Sequence, residues 1–343
     1  MGQWLWTCRA GYEPELIEEL TSHNAALQPI VVGPALVATR SVPGVDETML
    51  QPAFARQSMP VQHLLEARTS AALEAPTTTA LRAIAPEGPW ALHVWVADSD
   101  ATNPLARTAD LLQRSIELRA AAVDLRWGDR RVPSGRHAAN ANGLLAQVCV
   151  VSPGRVAVGA GPAARALSVH PGGRARMRVD DRAPSRAARK LAEALEQLGH
   201  GPSAGERCVD LGAAPGGWSF VLLERGARVV AVDPGEMHSS LVRRSGLVHI
   251  RGSAFDYEPR EPVDWLFCDM VWRPLEVVAL LGRWARKRWT RLVVANVKLP
   301  MRGKIEFLAR IRITLHEAGW RDVRMRQLYH DREEITLTAH VDR

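Results

Sequence analysis

The sequence predicts an α/β protein: a mostly parallel sheet with intervening helices in the C-terminal half, preceded by smaller α+β units. Three observations predict it. Segments of strand length and pattern recur near residues 208, 229, 248, 265, 292, 323 and 335, with helical patterns between most of them. The stretch Asp210-Leu-Gly-Ala-Ala-Pro-Gly-Gly-Trp218 passes from an apolar run through an acid and a glycine turn straight into a helical pattern, the strand–turn–helix of a parallel sheet. The link Tyr329-His-Asp-Arg332 between the last two runs is too short for a crossover helix, so the final strand is expected antiparallel beside its predecessor.

The elements follow in order. Trp4 to Arg9 reads as a strand. Gly11 to Leu20 reads as a helix with Pro14 in its first turn, where the missing N–H costs nothing. Pro29 to Gly33 and Ala35 to Thr39 supply two short strands, making residues 1–50 a small α+β unit. Residues 51–165 hold a strand at Ala91 to Val96, a helix from Pro104 to Ala122, and strands at Ala146 to Val151 and Arg155 to Gly159. This is an α+β domain of the size of an RNA-binding appendage. Pro171-Gly-Gly-Arg174 begins a connector, and residues 175–343 form the parallel-sheet domain, opened by an amphipathic helix across Ser185 to Leu195.

Composition narrows the class. With 46% apolar and 24% charged residues the chain reads as soluble and globular. Its N-terminal stretch lacks a secretion signal and no apolar run reaches membrane-spanning length, so a cytoplasmic location without membrane association is expected. Cys8, Cys149, Cys208 and Cys268 are scattered within apolar runs, which points to buried thiols rather than disulfides or metal ligands. The net charge is +7. Arg165, Arg174, Arg176, Arg178, Arg182, Arg186, Arg189 and Lys190 lie in one stretch opposed only by Asp180 and Asp181, a pattern suited to phosphate-backbone contacts.

Lysine is scarce: among 44 basic residues only Lys190, Lys287, Lys298 and Lys304 are lysine. Arg stays protonated, whereas Lys can give up its proton. Lys298 ends the buried strand pattern Leu292 to Val297, and Lys190 lies in the helix before the glycine turn. These two are the candidates for chemistry; Lys287 and Lys304 read as surface charge.

Ligands of open parallel sheets sit beyond the carboxyl ends of the strands. Gly212 permits the turn there, and Gly216 and Gly217 lack Cβ atoms where a ligand would approach. Asp233 ends the second strand, suited to ribose hydroxyls. The glycines are not spaced G-x-G-x-x-G, which disfavours a dinucleotide and favours an adenosyl ligand without pyrophosphate, such as S-adenosyl-L-methionine. Asp269 ends the fourth strand, Lys298 the fifth, and Glu333 and Glu334 precede the last. A Lys–Asp–Lys–Glu cluster beside an adenosyl donor suits methyl transfer to a hydroxyl, whose proton must leave as the oxygen attacks. The two carboxylates hold the ammonium groups, and their charge favours protonated lysine.

Together, Ser185-Arg…Lys190-Leu, Asp210 to Trp218, Cys268-Asp-Met270 with Pro274, Asn296-Val-Lys-Leu-Pro-Met301 and Leu328 to Glu334 resemble the RlmM-type bacterial 23S rRNA ribose 2′-O-methyltransferases, a branch of the FtsJ-like group. The resemblance is specific over the C-terminal half. It implies a Rossmann-like methyltransferase sheet, and in it Lys298 as proton acceptor with Lys190, Asp269 and Glu334 completing a tetrad. It implies S-adenosyl-L-methionine lined by Ser185, Ala214, Pro215, Gly216, Gly217, Asp233 and Asp269, within a motif that also includes Asp210, Gly212 and Trp218. It further implies an N-terminal THUMP-like RNA-binding region, echoed in Cys8-Arg…Gly11-Tyr-Glu and Phe54-Ala-Arg-Gln57, and a cytidine of 23S rRNA as substrate. The chain departs from the family after the third strand. Ser253 stands where an acid near the adenine is usual, and Asp256 follows three residues on.

The expected activity is therefore methylation of a cytidine 2′-hydroxyl in 23S rRNA before subunit assembly is complete, with no obligate protein partner. One competing reading moves the same chemistry to another RNA. A second, of a different class, is a non-catalytic RNA-binding assembly factor. A base methyltransferase is disfavoured: there is no Asn-Pro-Pro-Tyr-type tetrapeptide and no cysteine in a loop position suited to attack.

Overall fold

The computed structural model describes residues 2–85, 87–178 and 180–342. The chain divides into two compact units, Met1–Ala175 and Arg176–Arg343.

The first unit contains two four-stranded sheets. Strands β1 (Gln3–Thr7), β2 (Ile30–Gly33), β3 (Leu36–Arg40) and β4 (Gln57–Val61) form an antiparallel sheet in the order β2-β3-β1-β4, with helix α1 (Glu13–His23) after β1. Pro14 lies in the first turn of α1. The sheet extends beyond residue 50, because β4 pairs residue for residue with β1. Pro60 is accommodated because β4 is an edge strand.

The second sheet runs β5 (His63–Glu66), β8 (Arg155–Pro162), β7 (Leu144–Ser152), β6 (Trp90–Trp95). Helices α2 (Glu74–Ile84), α3 (Ala106–Val123), α4 (Leu125–Asp129) and α5 (Gly135–Asn140) accompany it. Its core joins Leu81 of α2 and Leu112 and Ile116 of α3 to Leu92, Val94, Val148 and Val158. Trp90 stacks on Trp127 at 4.4 Å. The sequence reading names neither β4, β5 nor α2. Each is locally weak: β4 contains Pro60, β5 is four residues long, and α2 carries Pro76 and three consecutive threonines.

The second unit is one seven-stranded sheet in the order β11-β10-β9-β12-β13-β15-β14. Its strands are β9 (Arg207–Leu211), β10 (Arg228–Val232), β11 (Leu247–Ile250), β12 (Val263–Cys268), β13 (Thr290–Lys298), β14 (Trp320–Arg326) and β15 (Glu334–Val341). The first five are parallel. β15 inserts between β13 and β14 and is antiparallel to both. The helices are α6 (Ala187–Leu198), α7 (Gly217–Glu224), α8 (Ser239–Val242), α9 (Pro274–Arg286) and α10 (Lys304–Glu317).

Side chains alternate across a strand, and this alternation places the site. Cys208 of β9, Trp265 and Phe267 of β12 and Val294 of β13 share a core with Leu191 and Leu195 of α6 and with Trp218, Leu222 and Leu223 of α7. Full burial of each large side chain contributes about 2 kcal/mol. Continuing the alternation toward the carboxyl ends brings Asp210, Asp269, Asn296 and Lys298 onto that same face. Gly199 closes α6 in the left-handed conformation (φ +79°), its N–H donating to the Leu195 carbonyl at 3.1 Å. No helix among the described residues is long and apolar enough to cross a membrane.

Candidate active site

The antiparallel ladder of β13 and β15 sets Lys298 directly opposite Glu334 and Asn296 directly opposite Thr336. Cross-strand partners on one face lie within side-chain reach. Helix α6 crosses this face and delivers Lys190. The two carboxylate oxygens of Glu334 are divided between the amines: Oε1 accepts from Lys190 Nζ and Oε2 from Lys298 Nζ. Lys190 Nζ also lies 3.9 Å from Asp269 Oδ1. Lys190, Asp269, Lys298 and Glu334, distant in sequence, thus form one connected cluster. Glu333 is exposed, its carbonyl accepting the Leu299 N–H at 2.9 Å.

Burial and charge oppose each other here. The Glu334 side chain is only 3% exposed. Burial pushes its proton affinity up, but hydrogen bonds from the two ammonium groups prevail and hold the carboxyl below its ordinary range. Lys190 is 19% exposed. Its burial disfavours the charge, yet Asp269 and Glu334 outweigh it and its pKa is raised. Lys190 is therefore a fixed cation. Lys298, at 36%, is the more accessible amine. Asp269 is pushed up mainly by burial, against the pull of Lys190.

Three further side chains hold this cluster, and sequence reasoning gave none of them a role. Asn296 donates from Nδ2 to Asp269 Oδ1 at 3.1 Å, and its Oδ1 accepts from Thr336 Oγ1 at 2.9 Å. Glu193, one turn beyond Lys190 on α6, accepts the N–H groups of Tyr329 and His330 at 2.7 and 3.0 Å. It thereby ties the helix carrying Lys190 to the loop leading to Glu334. Asn296 carried a usable signal, a polar side chain inside the apolar run Val293 to Val297. Glu193 carried none, since a glutamate on an amphipathic helix reads as solvated.

The glycine loop lies at the ends of β9 and β10. Gly212 turns with φ +76°. Its N–H and that of Ala213 donate to the Val232 carbonyl at 2.9 and 3.4 Å, and the Ala214 N–H donates to Asp233 Oδ2 at 3.1 Å. Pro215 has no N–H. These amides are consumed within the protein, so the loop does not present them as a phosphate cradle, which agrees with a ligand lacking pyrophosphate. Asp233 Oδ1 accepts the Gly235 N–H at 2.6 Å, and each of its oxygens retains acceptor capacity.

The reason for glycine at positions 216 and 217 differs from the expected one. A Cβ on Gly216 would meet Leu241 Cδ1 at 2.3 Å and Met237 Cε at 2.9 Å, and one on Gly217 would meet Ser185 Oγ at 2.2 Å. Close packing of the protein on itself, rather than ligand clearance, excludes a side chain. The closeness of Ser185 to Gly217 also puts that serine beside the loop. Trp218 is turned into the core, with Nε1 donating to the Ala187 carbonyl at 3.0 Å and the ring edge-on to Phe267. Ser253 is exposed in the turn after β11, where its Oγ accepts the Phe255 N–H at 3.1 Å; Asp256 is exposed as well.

Asp210 is fully buried and accepts from Ser219 Oγ at 2.7 Å, while its Oδ1 has no hydrogen-bond partner among the described residues. Burial, reinforced by Asp269 and Asp233, pushes it up to about 7. Three carboxyl groups at the ends of the adjacent strands β10, β9 and β12 thus raise the local appetite for positive charge. A sulfonium and an α-ammonium satisfy it; a phosphate would not. The donor set fits S-adenosyl-L-methionine.

Comparison with known proteins agrees with this geometry. Residues 183–282 match the FtsJ-like methyltransferase family. Over nearly its whole length the chain is similar to proteins named ribosomal RNA large subunit methyltransferase M. The protein from Halorhodospira halophila is 35% identical over 356 residues, covering 98% of this chain and 96% of the relative. Those from Xylella fastidiosa (strain 9a5c) and Alkalilimnicola ehrlichii are each 32% identical, covering 97% and 98% of this chain and 97% and 94% of the relatives. Identity at this level across both units, together with the motif-bearing face of the sheet, makes the chain a member of the ribosomal RNA large subunit methyltransferase M family.

Proposed function

We propose that the chain transfers the methyl group of S-adenosyl-L-methionine to the ribose 2′-hydroxyl of a cytidine in 23S rRNA, in the cytoplasm and before the large subunit is fully assembled. The observation that carries this reading is the bridge formed by Glu334 between Lys190 and Lys298 on the face that also carries Asp269. Protein-free or partly assembled rRNA is the better substrate because a finished subunit would exclude an enzyme of this size.

Ser185, Ala214 to Gly217, Asp210, Asp233 and Asp269 would hold the cofactor, which supplies an electrophilic methyl when bound. The chain's own residues then do three things. Lys298, the accessible amine, would meet the 2′-hydroxyl and, as the neutral amine, accept its proton as the oxygen attacks. Glu334 keeps Lys190 as its partner throughout, so this buried carboxylate is paired whichever state Lys298 is in. Asn296, Thr336 and Glu193 fix the cluster so that little reorganisation is needed at the moment of reaction. Residues 51–165, with the arginines that follow, would grip the RNA.

The test is to incubate the chain with protein-free large-subunit rRNA and methyl-labelled S-adenosyl-L-methionine, then digest the RNA to nucleosides. Labelled 2′-O-methylcytidine is expected. Label on a different ribose moves the target, and label on a base contradicts the chemistry. Failure to bind S-adenosyl-L-methionine in calorimetry favours a non-catalytic assembly factor.

A further inference from the structure

Beyond the cluster itself, the loops leaving β12 and β13 carry apolar side chains that the protein leaves in solvent. Val271 is 83% exposed, Trp272 52% and Met301 92%. The topology brings the two loops to one edge of the sheet. β12 and β13 are parallel neighbours with Cys268 opposite Ala295, so both loops emerge from the same carboxyl edge. Trp272 lies three residues beyond Asp269, and Met301 three beyond Lys298.

The indole is not loose. Its Nε1 donates to Glu276 Oε2 at 2.6 Å, and Phe255 lies against it with ring centroids 5.5 Å apart. An aromatic ring fixed at its polar edge, with half its surface open, is a preformed stacking platform. On these loops Arg273, Arg302 and Lys304 stand against Glu276 and Glu306. The Arg273 side chain is 84% exposed, Arg302 is exposed, and Lys304 starts the next helix. Glu276, the acid bonded to the indole, is ion-paired to Arg273 at 3.1 Å. An apolar platform flanked by exposed arginines suits a nucleic-acid strand, with a base on the ring and phosphates on the arginines.

We propose that Trp272, with Val271 next to it in the chain and Met301 on the neighbouring loop, is the stacking platform that seats a base of the single-stranded RNA segment entering the active site. The inference rests on the methyl-transfer reading for its substrate, but its test does not require turnover. The RNA backbone would run over Arg273 and Arg302, delivering the ribose toward Lys298. Trp272 is thus a positioning residue. It acts on the nucleotide strand and not on the transferred methyl.

The experiment compares the full chain with Trp272→Ala and Trp272→Phe. The dissociation constant of a short unstructured RNA, in the presence of S-adenosyl-L-homocysteine, is read by fluorescence anisotropy. KM and kcat with protein-free rRNA are read by methyl transfer, and S-adenosyl-L-methionine affinity by calorimetry. Trp272→Ala is expected to weaken RNA binding and raise KM about tenfold, to leave cofactor affinity unchanged, and to be rescued largely by Trp272→Phe. An unchanged RNA dissociation constant overturns the proposal. So does a loss of cofactor affinity, which would place the indole against the adenosyl group. Absence of methyl transfer by the wild-type chain counts against the function, while the anisotropy comparison still decides the platform.

Discussion

Glu334 is the residue on which the site turns, because a single buried carboxylate has to serve two amines. In the Glu334→Gln variant one oxygen becomes an N–H donor facing an ammonium, and the two lysines lose their common counter-charge. Breaking a buried pair is costly, but both lysines are partly solvated, so a loss of about 2 kcal/mol in unfolding free energy is expected. The pH window follows from the directions of the shifts. Glu334 lies below its ordinary value of 4.5 and contributes fully above that pH, losing its contribution as pH falls through the native value. Lys190 lies above 10.5 and contributes fully below that pH, losing its contribution as pH rises through the native value. The deficit of Glu334→Gln should therefore be present at pH 7 and disappear in acid; urea titrations at both conditions measure it. Asp210 acts with the opposite sign. Its raised carboxyl, at about 7, makes the folded state bind more protons than the unfolded one, so it lowers stability as pH rises from about 4 through 7. Asp210→Asn should flatten that part of the profile. An unaltered slope between pH 5 and 8 would show that Asp210 is ionised in the fold.

At the scale of elements, the glycine loop is a packing device as well as the proposed cofactor-binding loop. Gly216 combines φ +114° with a Cβ position 2.3 Å from Leu241 Cδ1. Gly216→Ala should cost about 2 kcal/mol or more, from strain and overpacking together. Gly217→Ala should cost less, because Gly217 lacks a positive φ and its closest contact, Ser185 Oγ, can rotate away, leaving the Ala188 amide nitrogen at 3.1 Å. Chemical denaturation distinguishes the two, and equal costs would contradict this picture of the loop. The same elements show what could be read from the chain. The strands of the second unit were legible because most are apolar runs bounded by a turn or a helical pattern, while β14 and β15 alternate apolar with polar residues. The antiparallel entry of β15 was legible from the short link Tyr329 to Arg332. The pairing of Lys298 with Glu334 was not, since it is set by ladder register, which strand position alone does not specify. Trp218 could be placed by sequence in the motif but not in space; only the packing of α7 on Phe267 turns it inward. In the first unit β4, β5 and α2 escaped notice because non-local pairing, not local propensity, makes them.

For the whole molecule, the distribution of arginine matters more than its number. Of the basic stretch, Arg165 is paired with Asp46, Arg174 with Asp98 and Arg182 with Asp180. Arg176, Arg178, Arg186 and Arg189 are exposed and have no ion pair among the described residues. These four are the candidates for binding phosphates. Replacing Arg186 and Arg189 by alanine should weaken RNA binding across sequences. It should also reduce the slope of log K against log salt by about 0.7 for each phosphate that the arginines had neutralised. Replacing Arg165 and Arg174 should leave that slope unaltered. Equal effects from the two pairs would indicate a diffuse basic field instead of a defined RNA track.

The most direct measurement is single-turnover methyl transfer by Lys298→Arg on protein-free large-subunit rRNA, with S-adenosyl-L-methionine affinity measured in parallel. Arginine retains the positive charge beside Glu334 but does not release its proton at neutral pH. If Lys298 accepts the 2′-hydroxyl proton, transfer falls by about a hundredfold or more while the cofactor binds as before. Turnover near that of the wild-type chain would show that the amine only balances charge, and that the proton leaves by another route.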